Sequence, residues 1–232
     1  MSKCTDMILE VIKAYGFNKL IFANELYHKL QYKSLDSISS AAYYKALERL
    51  VKSGTIVRLT AGVYYKPKST RFGIVPISDE EIASYYLDNN SGVEVGYKMY
   101  NKKGLTTQVG KRIQILSTVT DEERKNLKNV SVEKISMALN PETVTAIETL
   151  EILQSYNKIE DLNLKAFVSQ MRLFSENYSE EAINYVICNR KYKKSTIAFL
   201  KTILDRLNVQ NNLSAHLSET SHYIIPSVEE FI

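Results

Sequence analysis

Histidine and cysteine are scarce in this chain of 232 residues, with three of the first and two of the second. His28, His216 and His222 are scattered, and the six-residue gap between the last two is not a helical ligand spacing. Cys4 and Cys188 lie far apart and form no motif, which excludes a disulfide framework and a cysteine-based metal site and leaves a reduced, cytoplasmic protein as the expectation. No GxxxxGK[ST] phosphate loop occurs. No apolar run reaches the ~18 residues of a membrane span, and the opening MSKCTDMILEV is too short and too broken by charge to read as a signal peptide. Glu148, Glu151 and Asp121–Glu123 read as solvated charges. Too little of an active site is present to expect an enzyme, a metal or a cofactor. There is no internal repeat and no low-complexity tract.

What the chain does have is unevenly distributed charge. Residues 1–71 carry 12 Lys+Arg against 5 Asp+Glu, whereas residues 72–232 carry 18 against 21. A mild overall charge of +4 therefore hides a basic N-terminal part, which points to an anionic partner.

The most informative stretch is Ser37–Pro67. Tyr43, Ala46, Leu47, Leu50 and Val51 follow Ile38 as the apolar stripe of an amphipathic helix that Gly54 ends. Ile56, Val57 and Leu59 then face Val63, Tyr64 and Tyr65 across Thr60-Ala61-Gly62, the pattern of a hairpin. The polar side of the helix holds Ser39, Ser40, Tyr44, Lys45, Arg49 and Lys52, and the hairpin holds Arg58, Lys66 and Lys68. Hydroxyls supply partners for base edges and cations supply partners for phosphates. Upstream, a helix from Thr5-Asp6 to Gly16, a short strand at Leu20-Ile21-Phe22 and a helix from about Asn24 complete the order of a winged helix-turn-helix, with the third helix as reader.

The expected architecture is helix-rich α+β, with a winged helix-turn-helix DNA-binding domain at 1–71 and a larger mixed α/β domain at 72–232 that ends in several helices. Residues 71–76 read as a connector. Ser78 with Glu81 forms a capping box before a helix that ends at Asn89-Asn90. Alternation predicts strands at 111–118 and 130–136. Asn140-Pro141 starts a helix to about Tyr156, and three more follow near 162–175, 180–189 and 194–207. The last ~25 residues lack clear periodicity.

RLTAGVYYKPKSTRFGIVPISDEEIA, followed by Gly104-Leu105-Thr106-Thr107-Gln108-Val109, resembles the AbiEi antitoxins of bacterial type IV toxin–antitoxin (abortive infection, phage-resistance) operons. The resemblance covers roughly residues 5–136. It implies an autorepressor that binds inverted repeats in its own promoter, and a C-terminal antitoxin domain opposing a nucleotidyltransferase-like toxin without a stable complex. It places Ser39, Ser40, Tyr44, Lys45 and Arg49 on the reading helix and Arg58 and Lys66 on the wing. The Tyr43-Tyr44 pair departs from the smaller or basic residues usual there. The alternative is a winged-helix regulator whose second domain senses a ligand or binds a protein partner.

Two further basic clusters have both a bland reading, as solvated faces, and a functional one, as an extension of the DNA-binding surface. One comprises Lys98, Lys102, Lys103, Lys111 and Arg112, with no acid between residues 97 and 112. The other comprises Arg190, Lys191, Lys193 and Lys194. Of the adjacent tyrosine pairs 43–44, 64–65 and 85–86, one ring of each is expected to pack and the other to be exposed.

Overall fold

A computed structural model describes residues 3–33 and 38–227; the first residue of the informative stretch, Ser37, lies outside them. The described residues form nine α-helices and nine strands in two compact units, residues 1–85 and 86–232.

In the first unit, α1 (Lys3–Lys13) is followed by β1 (Leu20–Phe22), α2 (Ala23–Lys33), α3 (Ser40–Lys52), β2 (Val57–Thr60) and β3 (Val63–Tyr65). The three strands form an antiparallel sheet with β3 in the middle, Leu20 opposite Tyr65 and Val57 opposite Tyr65 on its other edge. Ile8 and Ile12 of α1, Leu26 and Leu30 of α2, and Tyr43, Ala46, Leu47 and Leu50 of α3 share one core with Ile21, Ile56 and Tyr64. The stripe read from the sequence is thus the buried side of α3. Its start is held by two donors on one carbonyl, since the Tyr27 hydroxyl and the Gln31 amide both reach Ile38 O at 2.8 Å.

The unit continues past residue 71. β4 (Lys68–Thr70) and β5 (Gly73–Val75) pair as a second hairpin across Arg71-Phe72, where the sequence reads only a connector. Gly73, at φ +112°, supplies the backbone angle that closes it. α4 (Asp79–Leu87) opens with the expected capping box: Ser78 N–H donates to Glu81 at 2.8 Å and Glu81 N–H donates to Ser78 Oγ at 3.1 Å. The division between the units falls at Tyr85/Tyr86 rather than at 71/72. The reason is lateral contact: Glu81 accepts from Asn18 Nδ2 at 3.0 and 3.1 Å, and the Tyr85 ring lies 5.0 Å from Phe22.

The second unit is built on a mixed four-stranded sheet. β6 (Gly92–Val95), β7 (Ile113–Ser117), β8 (Arg124–Leu127) and β9 (Val130–Lys134) lie in the order β6-β7-β9-β8, with β7 and β9 parallel. Ile113 and Ile115 fall on one buried face, as their alternation predicts. Leu116, Val93 and Val95 pack with the helical core. That core is made by α6 (Pro141–Ser155), α7 (Leu164–Glu176), α8 (Glu180–Asn189) and α9 (Lys194–Arg206), while α5 (Tyr97–Lys102) sits between β6 and β7 in the chain. Asn140 caps α6 reciprocally with Thr143, both bonds 2.8 Å, with Pro141 in the first turn. Ser179 caps α8 through Ala182 N–H at 3.2 Å.

The tyrosine pairs divide unequally. Tyr43 is wholly buried and Tyr44 is 45% exposed, but both Tyr64 and Tyr65 are buried, because β3 is the central strand of its sheet. Tyr43 packs against the Tyr27 ring, tilted at 51° with centroids 4.9 Å apart, and donates its hydroxyl to Ala23 O at 2.8 Å, and burial pushes that hydroxyl's pKa well up. Tyr43→Phe deletes one buried hydrogen bond while keeping the ring. It should cost about 1 kcal/mol, readable as a lower midpoint in urea with an unchanged m-value.

Candidate nucleic-acid interface

Ser39, Ser40, Ala41, Tyr44, Lys45, Glu48, Arg49 and Lys52 are exposed on α3. At about 100° per residue, Ser40 through Lys52 spread over roughly half the helix circumference, opposite Tyr43, Ala46, Leu47 and Leu50. The residues predicted to read bases therefore share one face, with one change of role. Ser39 is the N-cap, its hydroxyl accepting from Ala42 N–H at 3.3 Å, so its first task is to start the helix. The structure adds Glu48, which stands at mid-arc between Tyr44 and Lys52. A carboxylate there repels phosphate but can accept from a cytosine amino group. Its helical spacing was the available signal; a search for cations and hydroxyls passes over it.

The hairpin residues are placed less uniformly. Arg58 is exposed and bends back to Thr60 O at 3.4 Å. Lys66 is half-buried: its ammonium donates to Tyr15 O at 3.3 Å and lies 4.7 Å over the Phe17 ring. It meets the chain just beyond the C-terminal end of α1, where a cation is favoured, so Lys66 serves the fold. Lys68 is exposed and its backbone N–H donates to Asn18 Oδ1 at 3.3 Å. Lys66→Ala should lower stability by about 0.5–1 kcal/mol. It should leave any salt-dependent binding of DNA nearly unchanged, whereas Lys52→Ala should do the reverse.

Of the nine predicted cations in the second unit, Lys102, Lys103 and Arg190 pair with carboxylates. Lys102 pairs with Glu94 at 2.8 Å and Lys103 with Glu148 at 2.7 Å. Arg190 reaches Glu133 at 2.6 Å and Glu151 at 3.1 Å, and Glu133 also takes Arg124 at 3.1 Å. The Lys194 ammonium donates to His216 O. Lys98 is half-buried, and Lys111, Arg112, Lys191 and Lys193 are exposed, Lys193 with its backbone N–H on Gln154 at 3.1 Å. Arg112 of one cluster and Arg190 of the other line the same polar cavity of about 400 Å³, together with Arg124, Glu133 and Glu151. Glu148 and Glu151, which read as solvated charges in the sequence, are instead largely withdrawn from solvent in ion pairs, because Lys103 and Arg190 reach them from other segments.

Burial pushes the Glu133 carboxyl up, but the Arg190 hydrogen bond and the charges of Arg190 and Arg124 outweigh it and hold its pKa below the usual range. Burial opposes the Arg190 charge, and Glu133 and Glu151 more than restore it. A carboxyl more acidic in the folded than in the unfolded chain stabilises fully above its unfolded pKa. That contribution is lost as pH falls through the folded value. Stability should therefore decline below about pH 4.5, and Glu133→Gln should flatten that limb. Arg190→Ala strands Glu151 and leaves Glu133 with Arg124 alone, and should cost about 2–3 kcal/mol at neutral pH. This is less than a fully buried pair would lose, since Glu133 keeps contact with water. Thermal melts across pH 3–8 check both.

Among the described residues, no three His, Cys, Asp or Glu side chains come together in a way that could hold a metal ion, and no helix is long and apolar enough to cross a membrane.

A helix with a basic, hydroxyl-bearing outer face beside a small antiparallel sheet defines a class of candidate nucleic-acid-binding modules. The family is a more particular matter. Residues 7–164, the greater part of the chain, match the family described as a family of unknown function, DUF6088, and the chain belongs to that family. No curated protein matches it.

Proposed function

We propose that the first unit is a winged helix-turn-helix that binds double-stranded DNA. In this reading α3 enters the major groove and the chain represses its own promoter from inverted half-sites. The observation that carries this reading is the outward arc of α3, where Ser40, Tyr44, Lys45, Arg49 and Lys52 are exposed together while the opposite side is wholly buried. The helix is thus fixed in the body with its polar face outward, as a reading helix must be. The charge of the surrounding sequence supports it. From Arg49 to Ser78 there are six Lys or Arg and no Asp or Glu.

The finer proposal rests on the resemblance to AbiEi antitoxins. The second unit would counteract a nucleotidyltransferase-like toxin encoded beside this chain, without forming a lasting complex with it. Co-expression with the product of the neighbouring gene tests this directly: growth arrest by that product alone, relieved by this chain, is the expected result. The polar cavity favours a second reading of the same unit, as a sensor of a small anion. An operator affinity that changes when inorganic phosphate or nucleotides are added at constant ionic strength would support that reading.

A duplex from the chain's own upstream region should shift in a gel in preference to random DNA. If about five phosphates are neutralised, log affinity should fall with log salt at a slope near −4 to −5. Arg49→Ala/Arg58→Ala should weaken binding and, since Arg58 bends back to Thr60, reduce the slope by about one, chiefly through Arg49. Equal binding by the double variant would remove α3 and its hairpin from the interface.

A further inference from the structure

The β2–β3 hairpin is poorly suited to act as a projecting wing. Its turn is short, and the Gly62 carbonyl at its tip accepts from Ala23 N–H at 2.8 Å, which ties the tip to the start of α2. Val63, Tyr64 and Tyr65 are all buried. Of its cations, Lys66 is turned to the end of α1 and Arg58 folds back on Thr60.

The β4–β5 hairpin has the opposite character. All six of its strand residues are exposed, so neither face of this two-stranded ribbon is covered by the unit that carries it. Its root is nevertheless anchored. Asn18 accepts from Lys68 N–H, donates to both oxygens of Glu81, and donates its own backbone N–H to Lys66 O at 2.8 Å. At the tip, Thr70 Oγ accepts from Phe72 N–H and donates to Gly73 O, both 3.2 Å, which shapes the two-residue turn. That turn presents Phe72, 86% exposed, with the Arg71 guanidinium 4.7 Å over its ring. Ile74 is 52% exposed behind it. An isolated ribbon of this kind gains little stability from its own packing, so stability does not account for an aromatic ring at its tip.

We propose that the β4–β5 hairpin is the working wing of this protein. Its tip, Arg71 and Phe72, enters the minor groove of the duplex that α3 reads, with Phe72 as an apolar wedge against a base step. This rests on the DNA-binding reading above and adds to it a different contact element. The choice of DNA follows from charge: Lys68 and Arg71 lie within the thirty-residue stretch that contains no acid, so the ribbon carries a cation at its root and another at its tip with no carboxylate beside them in sequence. Arginine drawn to minor-groove potential, next to an apolar side chain that unstacks a step, is a recognised way of bending a duplex.

The chain has no tryptophan, so Phe72→Trp places a single indole fluorophore at the tip. With the full chain and its own upstream duplex, the emission of that indole should be quenched or shifted at saturation. Phe72→Ala should keep the wild-type melting temperature, bind roughly 5- to 100-fold more weakly, and bend the duplex less in a circular-permutation gel assay. Lys68→Ala/Arg71→Ala should lower the salt slope by about two. Wild-type binding and bending by the hairpin variants, with loss in Tyr44→Ala/Arg49→Ala, would overturn the wing assignment and leave the DNA reading intact. No affinity for the duplex in the wild type would overturn both. A wild-type dimer in sedimentation that Phe72→Ala dissociates, with DNA affinity unchanged, would make a second copy the occupant and overturn the assignment as well.

Discussion

The peptide groups of Ala23 hold the first unit together. Its N–H donates to Gly62 O at the turn of the β2–β3 hairpin, and its carbonyl accepts the Tyr43 hydroxyl from the first turn of α3. One residue at the junction of β1 and α2 thus fixes both the sheet and the candidate reading helix. A buried hydrogen bond of this kind contributes little net free energy, but leaving it unmade would be costly. It therefore acts mainly as a constraint on geometry. Rotating α3 about its axis would take Tyr43 off Ala23 and off the Tyr27 ring, and would bring Tyr44 or Ala42 into the core. The side that faces outward is consequently determined from inside, by a tyrosine that is itself wholly buried.

The same residue types have different meanings in the two units because their neighbours differ. On α3 and the hairpins that follow, cations run from Arg49 to Arg71 with no carboxylate between them in sequence. In the second unit, stretches that look equally basic along the chain meet Glu94, Glu148, Glu133 and Glu151 once folded. At ion-pair distances the partner's field largely cancels the cation's own beyond a Debye length, about 8 Å at physiological ionic strength. Lys102, Lys103 and Arg190 therefore add little to a long-range potential that could draw in DNA.

What could be read from the sequence follows from how far each signal reaches. The 3.6-residue stripe of α3, the Ser78–Glu81 capping box and the Asn140-Pro141 start are local, and all three appear where the residues place them. The partners of the cations were not legible, because ion pairs such as Arg190–Glu133 join segments 57 residues apart. The β4–β5 hairpin was missed for a subtler reason. Its strands are three residues long and wholly exposed, so they lack the alternation of apolar and polar residues by which a half-buried strand is recognised. The extent of the first unit was likewise set by side chains, Asn18 to Glu81 and Phe22 to Tyr85, that a composition shift at residue 71 does not report.

The family match divides the candidate sites in an informative way. All of α3, both hairpins and the Ala23 junction lie inside residues 7–164. The charged cavity does not: Arg112, Arg124, Glu133 and Glu151 fall inside the matched stretch, but Arg190, the cation that bridges the two glutamates, comes from the end of α8 beyond it. Without a cation in that position, Glu133 would keep Arg124 while Glu151 would face the cavity uncompensated. The cavity's balance of charge is therefore completed by the C-terminal helices, whereas the outward face of α3 is complete within the matched segment.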